Sequence, residues 1–176
     1  FDTFGSDMSN HIIMGDMDGD NDLDAVIANN GLGYSAIWIN QGGAQPGTAG
    51  NFGTTPIDRF GSGTNNSSMA LGDVDSDGDL DAIIGIQEKT QEVWLNNGSG
   101  NMGIAAVSSF DSGQTKSVAI ADVNGDGSLD VLSANSNGAN TVYLNQILQV
   151  NSHTPTINKI DVASNSSITV TFNHSI

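Results

Sequence analysis

Apolar and polar positions alternate along this chain in short blocks, and the same order of blocks returns three times. A brief apolar run stands at 11–15, 68–72 and 117–121. A nine-residue acidic stretch follows each run, and a second apolar run comes straight after it, at 25–28, 82–86 and 131–134. A third run ends in an aromatic, a large aliphatic and an asparagine: Trp38-Ile39-Asn40, Trp94-Leu95-Asn96 and Tyr143-Leu144-Asn145. A weaker fourth segment carries a phenylalanine ahead of each acidic stretch, at Phe4, Phe60 and Phe110. Continuous apolar runs of about four to eight residues, bounded by turn residues, predict buried strands.

The first aspartates of the acidic stretches fall at 16, 73 and 122, a period of about 50 residues, and a fixed period of that order predicts a repeat architecture. Four short strands in one such period make a β-propeller blade. A blade cannot bury both faces of its own sheet, so blades stack on their neighbours. The expected fold is therefore all-β: three four-stranded β-propeller blades over 1–148, followed by a linker and a strand pair over 149–176.

The stretches 16–24, 73–81 and 122–130 read DMDGDNDLD, DVDSDGDLD and DVNGDGSLD. Side-chain oxygens recur at their first, third, fifth and ninth positions, and the eighth is Leu23, Leu80 or Leu129. Carboxylates packed this densely repel one another unless a cation neutralises them. Calcium, with six to eight oxygen ligands, is the usual choice for such a set.

Composition sharpens this reading. The net charge is −16, and Arg59, Lys89, Lys116 and Lys159 are the only Lys and Arg residues. With no basic patch for phosphates, nucleic acid is an unsuitable partner. No apolar run approaches the length of a membrane span, so membrane insertion is not expected. There is no cysteine, hence no disulfide framework. Sites built on several carboxylates suit extracellular calcium levels, which places the chain outside the cell or at its surface.

Acidic loops between two apolar strands, with Phe4-Gly5 and Phe60-Gly61 upstream, resemble the FG-GAP repeat, also called the VCBS repeat. That family includes the integrin α-subunit propeller. The resemblance spans roughly 1–146. It implies that each loop joins the first and second strands of a blade and wraps one calcium ion, three ions in all. By position it implies side-chain ligands Asp16, Asp18, Asp20 and Asp24 in the first loop. It gives Asp73, Asp75, Asp77 and Asp81 in the second, and Asp122, Asn124, Asp126 and Asp130 in the third. The seventh residue, Asp22, Asp79 or Ser128, would give its backbone carbonyl. The third unit departs from the pattern with Ala121-Asp122 for Gly-Asp and Phe110-Asp111 for Phe-Gly.

Competing patterns fit less well. An EF-hand needs a glutamate at its twelfth position, where this chain has Ile27, Ile84 and Ser133. The paired glycines of the RTX nonapeptide are missing. Catalytic carboxylate pairs need unlike environments, whereas these sit in equivalent places, so no enzymatic activity is expected. Trp38, Trp94 and Tyr143 read as a core slot in each blade rather than as a sugar-stacking platform. After Leu148 the acidic loops stop, and alternation at 157–162 and 168–172 predicts a hairpin similar to the opening of a bacterial immunoglobulin-like module. Three blades are fewer than the about four to eight of a closed propeller. Further blades of a longer parent, or other protein chains, are the expected partners. The function these features imply is structural or adhesive, with carbohydrate binding as the alternative.

Overall fold

The computed structural model describes residues 3–5, 7–31, 34–42, 47–61, 65–110 and 113–145, and the backbone of two strands beyond them. The chain divides into two compact units, Phe1–Asn145 and Gln146–Ile176. Among the described residues there is no helix.

The first unit holds three antiparallel sheets. The first is a four-stranded meander of β1 (Ser9–Gly15), β2 (Asp24–Asn29), β3 (Ser35–Trp38) and β4 (Asp58–Phe60). The second repeats it with β5 (Asn66–Gly72), β6 (Asp81–Ile86), β7 (Gln91–Trp94) and β8 (Ser108–Phe110). The third has β9 (Thr115–Ala121), β10 (Asp130–Asn135) and β11 (Thr141–Tyr143), three strands among the described residues where four were expected. Each acidic stretch joins the first strand of its sheet to the second. The register slips once at the same place in each first strand, between Ser9 and His11, between Asn66 and Ser68, and opposite Ala134 and Asn135.

The alternation of side chains across each sheet builds the core between sheets. Val26, Ala28 and Ile37 of the first sheet meet Met69, Ala82, Ile84 and Trp94 of the second. The opposite face of the second sheet, with Ala70 and Ile83, meets Val118 and Val131 of the third. An aromatic pair recurs at each step. Phe60 of β4 packs edge-on against Trp94 with centroids 5.8 Å apart, and Phe110 of β8 lies 4.5 Å from Tyr143. Phe4 makes the same contact with Trp38 at 5.5 Å, although residues 3–5 are not a strand as expected. Trp38 and Trp94 are each 5% exposed, which fits the core slot.

The sheets approach most closely at a glycine. A Cβ on Gly15 would stand 2.8 Å from Leu80 Cδ1, and one on Gly72 would stand 2.3 Å from Ile120 Cδ1 and 2.8 Å from Leu129 Cδ1. Here the repeated leucine finds its role: Leu80 and Leu129 fill the seam beside the glycine of the preceding sheet. Ala121 occupies the glycine position of the third sheet and is exposed. The departure from Gly is tolerated because no described sheet packs against it.

The second unit pairs β12 (Val150–Thr154) with β13 (Thr169–Phe172), antiparallel. β13 falls where the second strand of the hairpin was expected. Its partner differs, however: it is Val150–Thr154, and residues 157–162 lie outside the described residues.

Candidate metal centre

The three acidic loops share one backbone course. Their fourth and sixth residues have left-handed φ throughout: Gly19 (78°) and Asn21 (71°), Ser76 (66°) and Gly78 (100°), Gly125 (77°) and Gly127 (92°). This winding turns successive N–H groups inward. The carboxylate at the first position receives them. Asp16 Oδ1 accepts from Gly19 at 2.8 Å and Asp20 at 3.1 Å, and its Oδ2 accepts from Asn21 at 2.9 Å. Asp73 accepts from Asp77 at 3.0 Å and Gly78 at 3.1 Å. Asp122 accepts from Gly125 at 2.7 Å, Asp126 at 3.2 Å and Gly127 at 3.0 Å.

The ninth residue closes each loop. Asp24, Asp81 and Asp130 are fully buried. Their Oδ2 atoms accept the N–H of the second loop residue, Met17 at 2.8 Å, Val74 at 2.9 Å and Val123 at 2.9 Å. Their Oδ1 atoms accept the N–H of the asparagine after the third strand, Asn40 at 2.8 Å, Asn96 at 2.9 Å and Asn145 at 2.9 Å. Each loop is thereby fastened to its own sheet. Sequence spacing marked the ninth residue as an oxygen donor but gave no sign of this clamp. Burial pushes Asp24 up to about 6, against the opposing amide bonds of Met17 and Asn40, with the charges of Asp18 and Asp22 adding to the rise. Burial raises Asp81 in the same way, opposed by the amides of Asn96 and Val74.

Asp16, Asp18 and Asp24 each place a carboxylate oxygen within 4.8 Å of the others, and Asp73, Asp75 and Asp81 do the same. The fifth residues lie beside these triads and cap the next turn. Asp20, Asp77 and Asp126 accept the N–H of Asp22, Asp79 and Ser128 at 2.9, 3.0 and 2.8 Å. In the third loop Asn124 takes the place of a third carboxylate, and its Nδ2 donates to Asp126 Oδ2 at 2.9 Å. Asp126 is accordingly held below the usual range by the Ser128 amide and the Asn124 side chain. Asp75 is raised, first by burial and then by the charge of Asp77.

The seventh side chain lies against the turn that follows the third strand in the first two loops. Both carboxylate oxygens of Asp22 are buried with no donor on either, and the Ser128 hydroxyl is likewise unpartnered. A Cβ on Gly42 would lie 2.8 Å from Asp22 Oδ2, and one on Gly98 would lie 2.5 Å from Asp79 Oδ2. Burial raises Asp22, and the charges of Asp20, Asp18 and Asp16 add to it. A crowded, purely carboxylate and carbonyl donor set fits a hard divalent cation.

A family model for the FG-GAP-like repeat matches residues 16–84 and again residues 75–133. No curated protein matches the chain.

Proposed function

The chain belongs to the FG-GAP-like repeat family, and from that premise we propose that it is a calcium-binding β-propeller module of a secreted or cell-surface protein, with a structural and adhesive role in extracellular assembly. The observation that carries the calcium reading is the recurrence of one loop geometry, with the first and third residues and the buried ninth converging on one point in two loops. Asp16, Asp18, Asp20 and Asp24 would hold the first ion, Asp73, Asp75, Asp77 and Asp81 the second, and Asp122, Asn124, Asp126 and Asp130 the third. The carbonyls of Asp22, Asp79 and Ser128 would complete each shell. The ion would supply the positive charge that these carboxylates lack. It would thus lock the turn between first and second strands and with it the blade.

The stacked sheets support the propeller reading, because each one buries its neighbour's apolar face. The first sheet leaves Ile12 (53%), Met14 (44%) and Leu23 (57%) exposed, at the places where the second sheet buries Met69 and packs Leu71 and Leu80. Such a face suits coverage by a further blade or by another copy. No helix of the described residues is long and apolar enough to cross a membrane. Carbohydrate binding by stacking finds no platform in Trp38 or Trp94, which are buried. Calcium titration followed by calorimetry tests the reading: about three bound ions per chain and a higher melting temperature are expected, and absence of binding at millimolar calcium refutes it.

A further inference from the structure

One asparagine crosses each joint between sheets, and it does so at the same place. Asn96 gives its backbone N–H to Asp81 of the second loop at 2.9 Å. Its Nδ2 donates to the carbonyl of Met17, the second residue of the first loop, at 2.8 Å. Asn145 gives its backbone N–H to Asp130 of the third loop at 2.9 Å, and its Nδ2 donates to the carbonyl of Val74 in the second loop at 2.8 Å. Each asparagine therefore touches two loops, its own through the main chain and the preceding one through the side chain. Asn40 has no preceding loop among the described residues, and its Nδ2 turns to the Leu23 carbonyl of its own loop at 3.3 Å.

We propose that Asn96 and Asn145 are positioning residues that couple cation binding in one loop to the docking of the following sheet. The inference rests on the calcium reading above. Its physical basis is the residue the asparagine grips. Met17 and Val74 each have their N–H held by the ninth carboxylate and their carbonyl held by the asparagine of the next sheet. Both peptides flanking the second residue are fixed, which sets the direction in which the third residue, Asp18 or Asp75, projects. A following sheet in place thus helps to preorganise one of the three converging carboxylates, Asp18 or Asp75, as outer-shell hydrogen bonds do for metal ligands. Coupling of this kind is reciprocal: an ion in the second loop tightens the hold on the third sheet by the same factor.

Asn145→Ala is the sharper test, because Asn145 is exposed and Asn96 is buried. The amides of Gly78 and Gly127 report the second and third loops separately, since each donates to the first aspartate of its own loop. Calcium alone is titrated into the full chain and followed by NMR at both signals. Loss of one neutral hydrogen bond predicts about two- to tenfold weaker binding at Gly78 and no change at Gly127, although Asn145 is nearer Gly127 in sequence. A general loss of packing would weaken both alike, and that result, or an unchanged second loop, overturns the coupling. Hydrogen exchange without calcium supplies a second readout. Asn145→Ala should speed exchange at Asp77 and Gly78 more than at Asp126 and Gly127, and equal rates overturn the strap. An unmodified chain whose signals ignore calcium refutes the calcium reading itself, while the exchange comparison still decides whether the strap exists.

Discussion

In the second sheet β6 is buried along its whole length, whereas β10 of the third is buried only in part. The contrast extends to the loops in front of them. The second loop carries Asp73, Asp75, Asp77, Asp79 and Asp81, and the third carries Asp122, Asn124, Asp126, Ser128 and Asp130. Yet the backbones wrap alike: Gly78 donates to Asp73 at 3.1 Å and Gly127 to Asp122 at 3.0 Å. The wrap is thus set by the left-handed fourth and sixth residues and survives the loss of two carboxylates. What changes is the electrostatics, with Asp75 raised and Asp126 lowered. Loop shape and loop charge are separate properties, and packing between sheets is a third.

Removing the ion should have the largest effect. With calcium at about a thousand times its dissociation constant, each site adds about 4 kcal/mol to the folded state. Excess chelator should therefore lower the melting temperature substantially. Most of the loss should come from the first two loops, whose carboxylates converge as triads. An unchanged melting curve in chelator would remove the metal from the comparison altogether.

Packing is probed by exchanging the two residues that end β5 and β9. Gly72→Ala puts a methyl group against Ile120 and Leu129 and should cost about 1–3 kcal/mol. Ala121→Gly creates no clash and should cost about 0.5–1 kcal/mol through backbone entropy alone. Urea denaturation of the two variants measures both. Equal shifts would show that the third sheet is packed like the second.

The strands and loops were legible because each is announced locally. Apolar runs bounded by turns fall inside β1, β2, β5, β6, β9 and β10, and the loops keep their oxygens at fixed offsets. The aromatic slot was legible from its place near the end of the third apolar run. The bonds that join the repeats were not. Asn96 meets Met17 across 79 residues, and no local pattern announces that distance. Asp58 lies outside the loops, and no local pattern announces that its Oδ2 accepts the Met102 N–H at 2.7 Å and ties β4 to the neighbouring turn. β12 reads VNSHT, with no apolar alternation to mark it, so nothing local announced it as a partner of β13. The room that Gly42 and Gly98 leave for Asp22 and Asp79 likewise needed the fold.

The charge difference can be exchanged between loops. Asn124→Asp should tighten calcium at the third loop, and Asp75→Asn should weaken it at the second, each on the order of tenfold, because affinity follows ligand charge. Asp79→Ser copies the third loop at a position whose side chain lies against Gly98. It should change affinity by less than about threefold if the carbonyl is the ligand. Isothermal titration separates these cases. Losses as large for Asp79→Ser as for Asp75→Asn would put the seventh side chain among the ligands.

Acidity offers the smallest effect and splits the two kinds of loop by sign. Asp24 is raised from 3.8 to about 6, chiefly by burial, and Asp81 and Asp75 are raised for the same first reason. In calcium-free protein the folded chain then holds protons at pH values where the unfolded chain has released them. Stability from Asp24 is fully present below 3.8 and is lost as pH rises through about 6, and Asp81 and Asp75 act in the same direction. Asp126 is lowered, so its contribution is present above its unfolded value of 3.8 and is lost as pH falls below it. Going from about pH 7 to about pH 5 in chelator should therefore raise the melting temperature through Asp24 of the first loop, and Asp126 of the third adds nothing to that rise. With calcium present the same change should lower it, because a proton on Asp24 competes with the ion. Melting curves at both pH values, with chelator and with calcium, check the crossing. A calcium-free chain that loses stability on acidification over this range would show that the buried ninth carboxylates are not the groups that set the two acidic loops apart.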